Sequence, residues 1–283
     1  MNTTRKSVVY AQEGSTIVMA SLLSFIRPSR YTVHMPNQLF LTAIYCVGGY
    51  LLTNIGFQSS GSAAFVETIK AAEPFTSASV AVLWGIERLG CGEITSLIGI
   101  VAGVVLSTLV YESSMNSTHS EAIRICFIVI SANLCFSFRG LHQKLFRSTP
   151  QGNASIIDDL NLQYRMQQIG VVLLILPAVV LLQITLLGYH VLSIDGSTIK
   201  HALYYITISL INGLAFTSYN LTSTYLLSRI SVVHHAALTS IGKVVVVVTT
   251  SIVFGMKVKL LQVVGIGLLV SGLLCYLLFK MEK

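Results

Sequence analysis

A chain of 283 residues that is 53% hydrophobic and only 10% charged, with a mean hydropathy of +0.75, has too few polar residues to clothe a water-soluble surface. Composition therefore excludes a soluble globular domain and leaves a polytopic membrane protein. The net charge of +7 does not call for nucleic acid, because the basic residues gather between apolar stretches, where membrane orientation accounts for them.

The chain opens with an N-terminal cytosolic or interfacial segment, 1–37. Its apolar patch, Ile17–Ile26, is too short to span a bilayer and is closed by Arg27-Pro28. A spanning helix needs about 20 mostly apolar residues. Eight stretches qualify, near 38–57, 64–86, 93–111, 121–138, 166–188, 201–228, 233–255 and 260–279. They are continuous rather than alternating, which predicts an all-α transmembrane bundle rather than a barrel. The segment 139–165, with Pro150-Gln151-Gly152-Asn153 and Asp158-Asp159, reads as a cytosolic loop. It divides 38–138, the remainder of a first repeat, from the C-terminal helices at 166–280, and 27–281 forms one domain.

Charge sets the orientation. Twelve basic residues, among them Arg27, Arg88, Arg139, Arg165, Arg229 and Lys280, fall on one side, and Lys200, Lys257 and Lys259 fall on the other. This asymmetry predicts both termini in the cytosol. Arg124 has Glu121 at i−3 near a helix start and reads as snorkelling to the interface. Two cations, Lys70 and Lys243, then stand inside spans. Such residues cost about 2.5–3.5 kcal/mol on insertion scales and mark polar pathways.

Lys70 is followed by Glu73 at i+3, Pro74 at i+4 and Ser77 at i+7. Proline has no N–H, so the Lys70 carbonyl loses its usual helical donor and the helix should bend there. A freed carbonyl is tolerated at membrane depth where it is buried in protein or lines a cavity. A structural Lys70–Glu73 pair is the competing reading. Lys243 lies mid-span on a stripe with His235, Thr239 and Thr250, away from the apolar Val244–Val248 run. Tyr219 and Asn220 sit in a hydroxyl-rich helix, and Tyr50, Thr53 and Asn54 form a smaller polar group; either set could bind a ligand or tie helices together.

The halves echo one another. Trp84-Gly85 precedes a helix with Gly99 and Gly103, and Phe254-Gly255 precedes one with Gly265 and Gly272. Internally repeated transporters bind substrate at such repeat interfaces, although glycines also let helices approach closely. Catalysis is disfavoured: His234-His235 has no acidic neighbour, and neither HExxH nor GxSxG occurs. The five cysteines (Cys46, Cys91, Cys126, Cys135 and Cys275) form no CxxC pair, so no metal, disulfide or cofactor is implied.

Thr68-Ile69-Lys70-Ala71-Ala72-Glu73-Pro74-Phe75 resembles the TIKAxEPFFS run of the triose-phosphate translocator family, within the drug/metabolite transporter superfamily. Gly49–Asn54 is similar to its GHxxTN motif, and Tyr219-Asn220 with Arg229-Ile230-Ser231 and His235 to its YNQ…RVxPxTH. The resemblance implies a ten-helix inverted-repeat transporter exchanging organic phosphates, or nucleotide sugars in sister groups. It puts the phosphate-binding lysine at Lys70, the tyrosine at Tyr219 and the pathway threonine at Thr53. The family's Lys-Arg pair reads Gly242-Lys243, or Lys243-Val244 in a shifted register, so one cation is missing. The family's histidines fall at Tyr50 and Glu67. The family's first two helices have no counterpart, so about eight helices of an incomplete ten-helix fold are expected.

The sequence therefore predicts an alternating-access transporter for an anionic, phosphorylated small molecule in the lipid bilayer. Lys70, Lys243, Tyr219, Thr53 and Tyr50 would bind substrate, and Glu73 and Pro74 would shape or gate the cavity. A Golgi or ER nucleotide-sugar transporter and a truncated, non-transporting membrane protein are the alternatives. Location is divided between Golgi/ER, where the sequon Asn116-Ser117-Thr118 points, and the plastid envelope. Assembly, as monomer or homodimer, is open.

Overall fold

The computed structural model describes residues 37–60, 62–112, 119–148, 162–173, 196–253 and 260–281. Eight helices account for nearly all of them: α1 (Asn37–Ser60), α2 (Ala63–Lys70), α3 (Glu73–Leu83), α4 (Cys91–Glu112), α5 (His119–Ser148), α6 (Gly196–Arg229), α7 (Val232–Val253) and α8 (Leu260–Met281). A further helical stretch covers 162–173. The N-terminal patch, the sequon at Asn116, Phe254-Gly255 and the predicted span beyond residue 173 lie outside the described residues.

Among the described residues, five helices, α1, α4, α5, α7 and α8, are long and apolar enough to cross a membrane. Their outward faces carry large side chains such as Ile98 (60% exposed), Phe127 (69%) and Ile252 (74%). Contiguous apolar surface of this kind is stable against lipid and aggregates in water, so the fold is that of a multi-pass membrane protein. α6 has 34 residues, but its run of Thr and Ser side chains keeps its hydropathy below that of the five.

Two departures from the predicted spans have clear causes. The stretch 64–86 is two helices, α2 and α3, separated at Ala71-Ala72 beside Pro74. α5 runs ten residues past its predicted end, to Ser148. Arg139–Ser148 is rich in good helix formers, and it buries Leu141 and Phe146 completely. Arg139, Lys144 and Arg147 lower the hydropathy without weakening the helix.

Local signals set the helix ends. Ser62 caps α2, its hydroxyl accepting from Phe65 N at 3.4 Å. α3 closes in a Schellman turn: Ile86 N donates to Ala81 O and Gly85 N to Val82 O, both at 2.9 Å, with Gly85 at φ +69°. Glu93 reaches back to accept from Gly90 N at 2.8 Å and so starts α4.

The chain forms two compact units. One comprises residues 48–144 and 229–283, and the other 1–47 and 145–228. In the first, α4 and α8 meet backbone to backbone. A Cβ on Gly103 would lie 2.5 Å from Leu269 N and 2.6 Å from Gly265 O, and one on Gly272 would lie 2.9 Å from Ile100 N. Glycines thus let the helices touch along their main chains, which is how apolar helices gain affinity in lipid. Ile100, Val104, Leu269, Leu273 and Tyr276 fill this seam, and the same core continues through Val233, Ala237 and Val244 of α7 to Ala71, Ala78 and Ala81 at the α2–α3 break.

Gly103→Ala should therefore lower the thermal unfolding midpoint in detergent by the equivalent of about 1–3 kcal/mol, the cost of overpacking. Gly267→Ala, where an added Cβ meets nothing within 4 Å, should stay within about 0.5 kcal/mol of wild type.

Candidate functional site at the broken helix

Pro74 stands in the first turn of α3, with no N–H to offer back to Lys70. Neighbouring carbonyls find local donors: Ala71 N bonds Glu67 O at 3.0 Å, and Ala72 N bonds Ile69 O at 3.1 Å. The Lys70 carbonyl instead accepts from the ammonium of Lys243 on α7, at 3.1 Å. The same ammonium contacts the Glu73 carboxylate in a direct ion pair. One cation thus serves two groups that the break creates. It lies at the C-terminus of α2, the negative end of a helix dipole, and its partner Glu73 lies at the N-terminus of α3, the positive end.

α5 holds the break from another side. Asn133, fully buried, donates its amide to Ile69 O at 3.1 Å. One turn on, Ser137 Oγ bonds the hydroxyls of Thr76 (2.9 Å) and Ser77 (3.0 Å) in the first turn of α3. Asn133 and Ser137 were not singled out from sequence, although their i, i+4 spacing in an apolar span is a readable sign of one polar stripe.

Lys70 itself pairs with Glu67 at 3.0 Å and lies 5.8 Å over the Phe57 ring of α1. The proposed structural pair Lys70–Glu73 therefore does not form; each lysine takes a different carboxylate. The i, i+3 face on which that pair was drawn assumes one continuous helix, and the break removes that relation. One turn before Phe57 on α1 is Thr53, 3% exposed, whose Oγ1 has no hydrogen-bond partner among the described residues. A helical threonine ordinarily bonds its own backbone, so a buried, unsatisfied hydroxyl here is unusual. Tyr50, a further turn back, packs edge-on against Phe136 of α5, with centroids 5.1 Å apart.

The structure thus brings Lys70, Lys243, Glu73 and Pro74 together, and places Thr53 and Tyr50 on the adjoining face of α1. Tyr219 and Asn220 belong to the other unit, on α6. There Asn220 turns its amide onto its own helix, at Phe216 O (2.9 Å), and Thr224 donates to Gln163 at 2.7 Å. On α7, Lys243 and Val244 face inward while Gly242 is exposed with open space around it, so Lys243 is the inward cation of this stretch.

The sequence echo acquires a geometric meaning. Trp84 and Phe254 are 170 positions apart, and so are Glu73 and Lys243. Glu73 and Lys243 meet, and the glycine helices α4 and α8 that follow them also pack together.

Residues 7–277 match the family described as the Triose-phosphate Transporter family. The chain is 28% identical to phosphoenolpyruvate/phosphate translocator 1, chloroplastic, of Oryza sativa subsp. japonica, over 91% of this chain and 59% of the relative. It is 28% identical to phosphoenolpyruvate/phosphate translocator 2, chloroplastic, of Arabidopsis thaliana, over 88% and 60%. With the triose phosphate/phosphate translocator, chloroplastic, of Pisum sativum it shares 24% identity over 83% and 54%. The chain thus spans somewhat under two thirds of the length of the relatives it matches.

The ion pair predicts a non-additive response. Lys243→Met strands the Glu73 carboxylate in a buried site and should cost about 3–5 kcal/mol in thermal unfolding. The double variant Glu73→Gln/Lys243→Met removes both charges and should lose less than that single variant. A double variant as damaged as the sum of the two singles would show the groups to be uncoupled.

Proposed function

The chain belongs to the triose-phosphate transporter family, and from that membership we propose that it carries a small phosphorylated anion across a membrane by alternating access, exchanging it for phosphate or a related anion. The observation that supports this best is Lys243, a buried cation already bound to an internal anion at a helix break. The Glu73 carboxylate occupies the place a substrate oxyanion would take.

A substrate phosphate displaces Glu73 from Lys243 and draws on Lys70 as its second cation. Charge-assisted hydrogen bonds from ammonium groups to phosphate oxygens are short and about twice as strong as neutral ones. Thr53 Oγ1 supplies a neutral contact that asks nothing of the backbone. Bend and site coincide, because Ala71-Ala72 is the interruption between α2 and α3. A change of angle there moves Lys70 relative to Glu73, so substrate release and helix movement are one event. When the site empties, Glu73 returns to Lys243 and no buried cation is left bare.

The named relatives are chloroplastic, which favours the plastid envelope over Golgi or ER for this chain. The charge asymmetry of the loops favours cytosolic termini.

Reconstitution tests the reading. Proteoliposomes preloaded with phosphate should take up labelled phosphate, phosphoenolpyruvate or triose phosphate by counterflow. Lys70→Ala should cut exchange about 30-fold or more, the loss of a hydrogen bond to a charged group, while thermal unfolding stays cooperative. Full exchange by that variant would sink the assignment of Lys70 to the substrate.

A further inference from the structure

Lys70 and Lys243 are each already matched by a carboxylate. α1 carries no Asp, Glu, Lys or Arg; α2 carries Glu67 and Lys70, α3 carries Glu73, and α7 carries Lys243. α5, which packs against the break, adds Arg139, whose charge acts on Glu73. The formal charges sum to +1 (+3 − 2 = +1). The side chains of Glu67, Lys70, Glu73 and Lys243 are only 10–14% exposed, so the surroundings screen them weakly. A doubly charged anion entering this set leaves one uncompensated charge in a buried space, and a singly charged one leaves none. The solvation penalty of a buried ion grows with the square of its charge, so the difference between the two is large.

The two carboxylates differ in what else they do. Glu73 is built into the break, at the N-terminus of α3 and against the ammonium that caps the Lys70 carbonyl. Glu67 lies one turn before Lys70 on the same helix, and its carboxylate takes that lysine directly. Glu67 is therefore the group that can be altered without dismantling the junction of α2, α3 and α7.

We propose that Glu67 sets the charge class of the substrate, by neutralising Lys70 so that the site favours singly charged oxyanions over dianions. Phosphate monoesters, whose second proton dissociates near about pH 6, enter in their monoanionic form. The assignment rests on the reading of Lys70 as a substrate cation.

Equilibrium titration of the purified 283-residue chain in detergent tests it, with inorganic phosphate and dimethyl phosphate as probes, at a pH well above the second phosphate pKa of about 6. Phosphate is then a dianion and dimethyl phosphate a monoanion. Wild type should bind dimethyl phosphate more tightly. Glu67→Gln, which keeps the shape and removes the charge, should tighten phosphate by about tenfold and move dimethyl phosphate by less than about threefold. Glu67→Asp, which keeps the charge, should retain the wild-type order. Tighter binding of phosphate than of dimethyl phosphate by wild type overturns the proposal without recourse to any variant. So does an unchanged phosphate affinity in Glu67→Gln. If neither anion binds wild type or Glu67→Gln, Lys70 is no anion site, and the transport reading falls with this one.

Discussion

The carbonyl of Lys70 is the constraint on which the rest depends. Pro74 denies it an amide donor, and lipid offers no water in exchange. A backbone acceptor in that position must be satisfied by protein or the helix cannot stay at membrane depth. Lys243 satisfies it from α7, and in doing so brings the two sequence halves into contact. Its charge then has to be balanced, and Glu73, the first residue of α3, balances it. A proline, a lysine and a glutamate thus form one closed set, in which each makes the next tolerable.

The scaffold around this set is built to hold main chains close together. Gly103, Gly265 and Gly272 bring α4 and α8 to within backbone contact, and the seam is continuous with the alanine-rich faces of α2, α3 and α7. Asn133 and Ser137 of α5 tie the two half-helices to a neighbour, Asn133 at Ile69 O and Ser137 at the Thr76 and Ser77 hydroxyls. The site is therefore polar along a narrow line, flanked by apolar side chains that include Phe57 over Lys70 and the alanines at the break. Such a design ties down the two half-helices on either side of Ala71-Ala72, which carry no side chain beyond Cβ.

Much of this was readable in the sequence. Lys70, Pro74 and Lys243 stood out because a charge and a missing N–H have fixed costs in a membrane, whatever the tertiary structure. The partner of Lys243, 170 positions away, was not readable. Glu73 appeared to share a face with Lys70, but that inference applies a continuous helical period across the residue that interrupts it. Glu67 looked like added negative charge near the site, although its i, i+3 spacing to Lys70 within one helix was a readable sign of the pair. The length of α5 was missed for a different reason: hydropathy marks where an apolar window ends, and α5 carries its helix into a basic, amphipathic turn where burial of Phe146 continues.

The contact between Lys243 and the Lys70 carbonyl can be measured without disturbing it. Rotational-echo dipolar recoupling in lipid bilayers, with ¹⁵N at the Lys243 side chain and ¹³C at the Lys70 carbonyl, reads their separation directly. A hydrogen bond of the observed N···O length puts these nuclei roughly 4 Å apart, and strong dephasing is expected in the absence of substrate. No dephasing beyond the natural-abundance background would mean that the broken helix finds its donor elsewhere, and the account of the site would be wrong at its foundation.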